Sequence, residues 1–495
     1  MEDELNLAAV DLGAESGRVV HGRLARGRLY LEEIHRFPNE PVFFGKHLYW
    51  DFPGLFREVK KGLQAAAVKA GGLQGIAVDT WGVDFGLLDE TGELFSNPVC
   101  YRDHRTEHIL PLVFADAAQE ELFRRTGIQI MSINTSCQLR AVRQENPGLL
   151  ERAEDLLFMP GLFTYFLCGK KANDTTIVST SQLYNPVTGD WSWELLDALS
   201  LPARIFKPVV RPGTVLGELT AFPDGEPVAG AKVIVTGGHD TASAVAAVPA
   251  QEEEFIYISC GTWSLVGTEL PEPLLTEKAR ELNFSNEIGV ENKIRFLKNV
   301  MGLWLLQQCR KSWNERGLAY DYPELTACAA KAQPWRTLIN PDDPVFLNPA
   351  DMCEAIASYA RRTEQPVPES TGDYVRCILE SLALKYCWVI KRLQELTGSS
   401  YDCIHMVGGG TKNKFLAQLT ADVTGREIVA GPVEATAAGN LLLQALALGK
   451  ITDLPALRRV VRDSFPGESY RPGKTSKETA AVRERFAVLN KMTIF

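Results

Sequence analysis

Four short segments carry side chains whose types and spacing can do chemistry. The first is Asp11-Leu-Gly-Ala-Glu-Ser-Gly-Arg18, at the end of a short apolar run. Its glycines permit a tight turn whose backbone N–H groups can face a phosphate. Ser16 adds a hydroxyl, Arg18 a charge, and Asp11 a carboxylate of the kind that holds Mg2+ through water. The plain alternative is a β-hairpin turn. The second is Val235-Thr-Gly-Gly-His-Asp-Thr-Ala-Ser-Ala-Val245. Here Asp240 is either the N-cap of an Ala-rich helix or a general base that takes a hydroxyl proton beside a phosphate site. Capping alone does not call for the preceding Gly-Gly-His. The third, Cys260-Gly-Thr-Trp-Ser264, is a hydroxyl-bearing turn suited to a β- or γ-phosphate, or a turn and nothing more. The fourth, Val407-Gly-Gly-Gly-Thr-Lys-Asn413, offers a backbone flat enough for a base or ribose, or a flexible loop.

Two look-alikes are set aside. Gly473-Lys474-Thr475 ends like a P-loop, but the glycine before it is Gly467, one residue too distant, in a polar context. Gly13-Ala-Glu-Ser-Gly17 has its serine off by one for a nucleophile elbow, and its neighbours are strands.

The elements that must position these segments follow from periodicity. Leu7–Val10, Arg18–Leu24 and Leu29–Phe37 read as a three-stranded antiparallel meander. Leu55, Phe56, Val59, Leu63 and Ala66 mark one face of a helix that Gly71-Gly72 closes, and Gly75–Val78 is the next strand. This is not the plain βαβ alternation of a dinucleotide-binding domain. The order recurs later: strands Phe255–Ser259 and Ser264–Thr268 flank a Gly-containing turn. A long helix, Tyr374 to Leu396, then precedes the strand Cys403–Val407, and another helix starts near Lys412. The expectation is two α/β domains of similar design, 1–248 and 249–495, joined by the polar linker Val248–Glu254.

Composition agrees. A chain of 495 residues is two large domains or three average ones. Apolar residues at 45% and charged residues at 23% are those of an ordinary globular protein. A net charge of −10 argues against a broad nucleic-acid or anionic-membrane surface, though not against a local anion site made of backbone N–H groups. The ten cysteines have no C-x-x-C or zinc spacing and read as reduced thiols. The acidic start Met1-Glu-Asp-Glu-Leu lacks a signal peptide's features, and no run reaches the roughly 18 apolar residues of a membrane span. A cytoplasmic enzyme is expected.

The four segments, with Val78-Asp-Thr-Trp-Gly-Val-Asp-Phe85, Tyr101-Arg-Asp103, Lys298-Asn-Val-Met-Gly-Leu-Trp-Leu-Leu-Gln307 and Ala430-Gly-Pro-Val-Glu-Ala435 between them, follow one order along the chain. In that order they resemble the FGGY carbohydrate kinases of the actin/hexokinase/Hsp70 ATPase-type fold. The resemblance implies two ribonuclease-H-like domains with an interdomain cleft, sugar held mainly by the first and ATP-Mg2+ mainly by the second. It implies ATP-dependent phosphorylation of a ketose at O1, the match being closest to the branch acting on L-rhamnulose. Asp240 becomes the proton acceptor. Gly82, His239, Asp240, Thr241 and Asn299 become sugar residues. Ala14, Glu15, Ser16, Gly17, Arg18, Thr262, Gln307 and Gly409 line the nucleotide, and Asp11 lies near the metal. Trp81 faces the sugar's apolar methyl side, and the helix start lowers the Asp240 pKa. One departure is plain: the first FGGY signature, with its Lys-x-Trp core, is not present near Met159–Lys170. Other cases stay open: a different ketose such as L-fuculose, a non-transferring ATPase-fold binding protein, or a sugar-binding regulator that has lost catalysis. The expected partners are ketose and ATP, without nucleic acid or membrane, in a monomer or weak homo-oligomer.

Overall fold

In the computed structural model, residues 4–222, 226–473 and 477–491 are described. Lys474-Thr475 of the P-loop look-alike lie outside them. The chain divides into two units. The first takes in the chain up to Gln251, then Glu269–Phe296 and Ala435–Phe465. The second takes in Glu252–Thr268, Leu297–Glu434 and the residues from Pro466 on.

The first unit is built on a six-stranded sheet. Its order is Val215–Glu218, Lys232–Ile234, Gly75–Thr80, Leu5–Leu12, Ser16–Ala25 and Arg28–Pro38. The last three form the expected antiparallel meander. Gly75–Thr80 runs parallel to Leu5–Leu12 and is buried at every position, as a short apolar run inside a covered sheet requires. It is reached through the helix Phe52–Ala70. The Asp51 carboxylate caps that helix at Gly54 N, and Gly71 ends it in the left-handed conformation, φ 69°. The first hairpin turn depends on Gly17 for packing, since a Cβ there would overlap the Phe37 ring. A late helix, Ala435–Ala447, lies on the strand Leu5–Leu12. Its Gln444 Nε2 donates to Ala8 O (3.0 Å) and to Asn440 Oδ1 (2.7 Å).

The second unit repeats the design. Ile256–Cys260 and Trp263–Leu270 form a hairpin. Cys403–Val407 runs parallel to the hairpin's first strand, Glu427–Ala430 parallel to that, and Glu468–Tyr470 closes the edge antiparallel. The connecting helix is Thr371–Thr397. It starts three residues before the expected Tyr374, because Ser370 and Asp373 form a capping box ahead of the apolar face. The helix expected near Lys412 begins at Lys414. Gly409–Lys412 is a 3-10 turn, and Asn413 caps Leu416 N. In each unit a glycine-containing hairpin comes first, and a helix then delivers a parallel strand beside its first strand.

The linker reading needs correction. Val248 and Ala250 are buried, and only the polar half, Gln251–Glu254, is exposed. All ten cysteines are free thiols. Among the described residues no helix is long and apolar enough to cross a membrane.

Candidate active site

In the first unit the Gly-Gly-His-Asp turn is fixed from both sides. Gly238 O accepts from Thr80 N (2.8 Å), and His239 N donates to Thr176 Oγ1 (3.2 Å). Only glycine fits at 238, since a Cβ there would overlap Asp174 Oδ2. Asp174 is itself held by Thr176 N (2.8 Å) and Ile177 N (3.3 Å). The helix that follows, Asp240–Ala246, has His239 as its N-cap. Asp240 is therefore not the cap but the first helical residue, with its carboxylate free for another task. Its Oδ1 accepts from Thr241 Oγ1 (3.0 Å) and lies 3.5 Å from His239 Nε2.

The expectation that the helix start lowers the Asp240 pKa is overturned. Burial pushes this carboxyl upward; His239 opposes, and the Asp11 carboxylate adds to the rise. A helix of seven residues supplies too little dipole to outweigh the lost hydration.

Asp11 sits beside this turn on the first strand. Arg18 grips its Oδ2 through Nε (2.9 Å) and Nη2 (2.7 Å). Parallel register pairs Asp11 with Asp79, so both carboxylates project from one face of adjacent strands. Asp79 is fully buried. Its Oδ2 accepts from Asn440 Nδ2 (2.6 Å), while its Oδ1 has no partner. Burial, then the facing Asp11 and after it Asp240, pushes its carboxyl well above the usual range. Among the described residues no group of three or more His, Cys, Asp or Glu could hold a metal. Two carboxylates, one carrying an orphaned oxygen, nonetheless fit a Mg2+ that keeps most of its waters and takes its remaining ligands from phosphates.

The turn Ala14–Gly17 is braced by Gly13 N to Ser16 O (3.0 Å), Asn39 N to Glu15 O (2.9 Å) and Asn39 Nδ2 to Gly13 O (2.7 Å). Ser16 Oγ also accepts from Arg36 Nη1 (3.3 Å). At the Trp-Gly turn the left-handed residue is Val83, φ 67°, not Gly82. A Cβ on Gly82 would lie 3.5 Å from His239 Nε2 and 3.4 Å from Thr180 Oγ1, so Gly82 lies beside the Nε2 edge of the buried His239 ring. Trp81 is buried against Trp50 (centroids 4.2 Å apart). Its Nε1 donates to Asp84 Oδ2 (2.9 Å), so it is a structural strut rather than a surface for the sugar's methyl group. Asp84 also accepts from Trp50 Nε1 (2.6 Å), Tyr101 N (3.2 Å) and Gln138 Nε2 (2.8 Å). Burial takes its carboxyl up to about 6 against these four donors.

In the second unit, the Cys260–Ser264 turn, the start of the helix Trp304–Glu315 and the Gly408–Gly410 loop form another cluster. Gly302 N and Trp304 N donate to Thr262 O (3.1 and 3.2 Å), and Leu303 N donates to Gly261 O (3.0 Å). Gln307 Nε2 reaches Thr262 Oγ1 at 3.4 Å, while its buried Oε1 has no partner. The three glycines divide their work. Gly408 turns the chain at φ 89°, Gly410 packs where a Cβ would overlap Cys260 Sγ, and Gly409 faces open space. Ser264 Oγ bonds the buried Tyr386 hydroxyl (2.7 Å), tying the turn to the long helix. Asn299 is half-buried on the strand Ile294–Met301.

Asp11, Arg18, Gly82, His239, Asp240 and Thr241 thus gather in the first unit, and Thr262, Gln307 and Gly409 in the second. Asp79, Asp84, Glu287 and Arg295 were not singled out from sequence. For the two aspartates a signal exists, an acid inside the apolar stretch Val78–Phe85. Glu287 and Arg295 have none, being far along the chain from His239.

The comparisons agree with this architecture. Residues 47–247 match the N-terminal domain of the FGGY family of carbohydrate kinases, and residues 256–448 match its C-terminal domain. The chain is 45% identical over 468 residues to a rhamnulokinase of Bacteroides thetaiotaomicron, covering 94% of this chain and 96% of that one. It is 43% identical to that of Enterococcus faecalis, covering 93% of each. Among solved structures, a gluconate kinase from Lactobacillus acidophilus superposes with TM-score 0.77 at 17% identity, covering 99% of this chain and 98% of that chain. A Plasmodium falciparum glycerol kinase with ADP gives 0.77 at 14%, with the same coverage. The molecule is an ATP-dependent sugar kinase. More particularly, the chain belongs to the FGGY family of carbohydrate kinases.

Proposed function

We propose that the protein phosphorylates L-rhamnulose at O1, giving L-rhamnulose 1-phosphate and ADP, with Asp240 as the general base. The observation that carries this reading is the geometry of the turn at 239–241. Asp240 is free of capping duty, partly exposed and next to His239, whose Nε2 lies toward Gly82. Phosphoryl transfer needs positioned groups and neutralised charge more than covalent help. The O1 hydroxyl attacks the γ-phosphorus, and an O–P bond forms as the bond to ADP breaks. The O1 proton passes to the Asp240 carboxylate. Its raised pKa makes it a stronger base than an exposed aspartate, nearer the pKa that proton transfer at neutral pH favours. His239, Thr241, Gly82 and Asn299 orient the sugar. Thr262, Gln307 and Gly409 hold the nucleotide, and the turn Ala14–Arg18 meets its phosphates. Mg2+, when bound, neutralises phosphate charge, and Asp11 with Asp79 would hold it. On this reading residues 1–248 serve mainly the sugar and 249–495 mainly the nucleotide, in a cytoplasmic enzyme.

The test is a ketose panel with coupled detection of ADP. ADP release that depends on L-rhamnulose supports the reading. A preference for L-fuculose would reassign the substrate, and ADP release indifferent to every sugar would remove the kinase role.

A further inference from the structure

Behind His239 lies a buried ion pair that the reaction as described does not use. Arg295, on the strand Ile294–Met301, is completely buried. Its Nη2 is 3.1 Å from Glu287 Oε2 and 3.1 Å from His239 Nδ1. Glu287 Oε2 is itself 3.3 Å from His239 Nδ1. All three residues belong to the first unit.

Which ring nitrogen carries the proton follows from what an arginine can do. A guanidinium donates and never accepts, and it stays charged in proteins. With Arg295 Nη2 at hydrogen-bond distance, Nδ1 of a neutral ring must be the acceptor, and the proton then sits on Nε2. Nη2 bonds both His239 Nδ1 and Ile288 O (3.4 Å), while Glu287 Oε2 holds the guanidinium by charge, as a buried ion pair. Without Arg295, Glu287 would reverse the choice, since a carboxylate 3.3 Å away would draw a proton onto Nδ1. Glu287 therefore acts by holding Arg295, and Arg295 decides the tautomer. On the other side of the ring, Nε2 is 3.5 Å from Asp240 Oδ1 and lies toward Gly82.

We propose that Arg295, anchored by Glu287, is a positioning residue that locks His239 as the Nε2–H tautomer. The ring thereby offers a hydrogen-bond donor, not an acceptor, to an oxygen of the sugar. This rests on the reading of His239 as a sugar residue, but the tautomer itself does not. A donor beside Asp240 also has a use. It complements a carboxylate that can only accept, so the two together select a substrate presenting an oxygen to one and a hydroxyl proton to the other.

The experiment is nitrogen-15 NMR on protein labelled at histidine. There are only seven histidines, and His239→Gln assigns the signal. The expected result is an Nε2–H ring in the wild type. Arg295→Gln and Arg295→Met each remove the charged donor and leave Glu287 to draw the proton, so each should move the population toward Nδ1–H and raise the ketose KM about tenfold, leaving kcat and the ATP KM near wild type. Two replacements of different polarity keep the test open should one fold poorly; circular dichroism checks both. A wild-type ring protonated on Nδ1 would overturn the lock. So would an unchanged ketose KM in a variant whose tautomer has shifted. A normal ketose KM in His239→Ala would instead show that the sugar reading of His239 has failed, whatever the tautomer.

Discussion

Replacing Asp240 by Asn isolates proton removal from everything else the site does. The substitution keeps size and shape, and the amide oxygen can still accept from Thr241 Oγ1, now 3.0 Å from the carboxylate. The helix cap is untouched, because it is His239. The variant loses only the ability to take a proton. A positioned base contributes about 10²- to 10⁴-fold. The middle of that range is a loss in kcat of about 10³-fold, or about 4 kcal/mol in the barrier. The Asp240 side chain bonds Thr241 and lies beside His239, neither of them a nucleotide candidate, so ATP affinity should stay within about twofold. Folding should improve. Asp11, Asp79 and Asp240 face one another, and neutralising one removes like-charge repulsion from the other two. The assay is coupled ADP release at saturating L-rhamnulose, with ATP binding by calorimetry and Tm by scanning fluorimetry. A kcat within tenfold of wild type, in a folded variant that binds ATP, would refute Asp240 as the base.

Three further variants probe the supporting structure. Burial, with Lys385 nearby, brings the Lys298 amine down to about 7, so the folded protein binds fewer protons there than the unfolded chain. Stability should therefore rise with pH between about 7 and the ordinary lysine value of about 10.4, and Lys298→Met should flatten that slope in urea titrations across the range. Gly238→Ala drives a methyl into Asp174 Oδ2, and overpacking of this kind costs about 1–3 kcal/mol. Its Tm should fall and turnover should drop with it, whereas an active, equally stable variant would mean that the turn is free to move. Tyr386→Phe deletes the 2.7 Å bond to Ser264 Oγ, worth about 1 kcal/mol. It should raise the ATP KM and leave the ketose KM alone, because Ser264 ends the same turn as Thr262.

Local structure was legible in the sequence wherever the residues that cooperate are contiguous. The meander, the helix Phe52–Ala70 and the strand Cys403–Val407 followed from periodicity and punctuation, since their burial pattern is set by neighbours a few positions away. The Gly409 loop was legible for the same reason, although only the structure separates one open glycine from two that are needed for the turn and for packing. Asp79 and Asp84 were hidden in plain view. A reader of Val78–Phe85 sees two acids in an apolar run but not that Asn440 or Trp50 will be there to hold them. Arg295 and Glu287 were invisible, because a buried ion pair announces itself only when its burial is known. The Asp240 pKa was misjudged for a related reason. Its helix start was readable, but its hydration was not, and hydration is the larger effect. A sequence motif therefore picks out candidate groups, while the strength and protonation of those groups are decided by residues that fold in from elsewhere. His239 makes the point: its neighbours in sequence mark it as a candidate, but the group 3.1 Å from its Nδ1 is Arg295, fifty-six positions away.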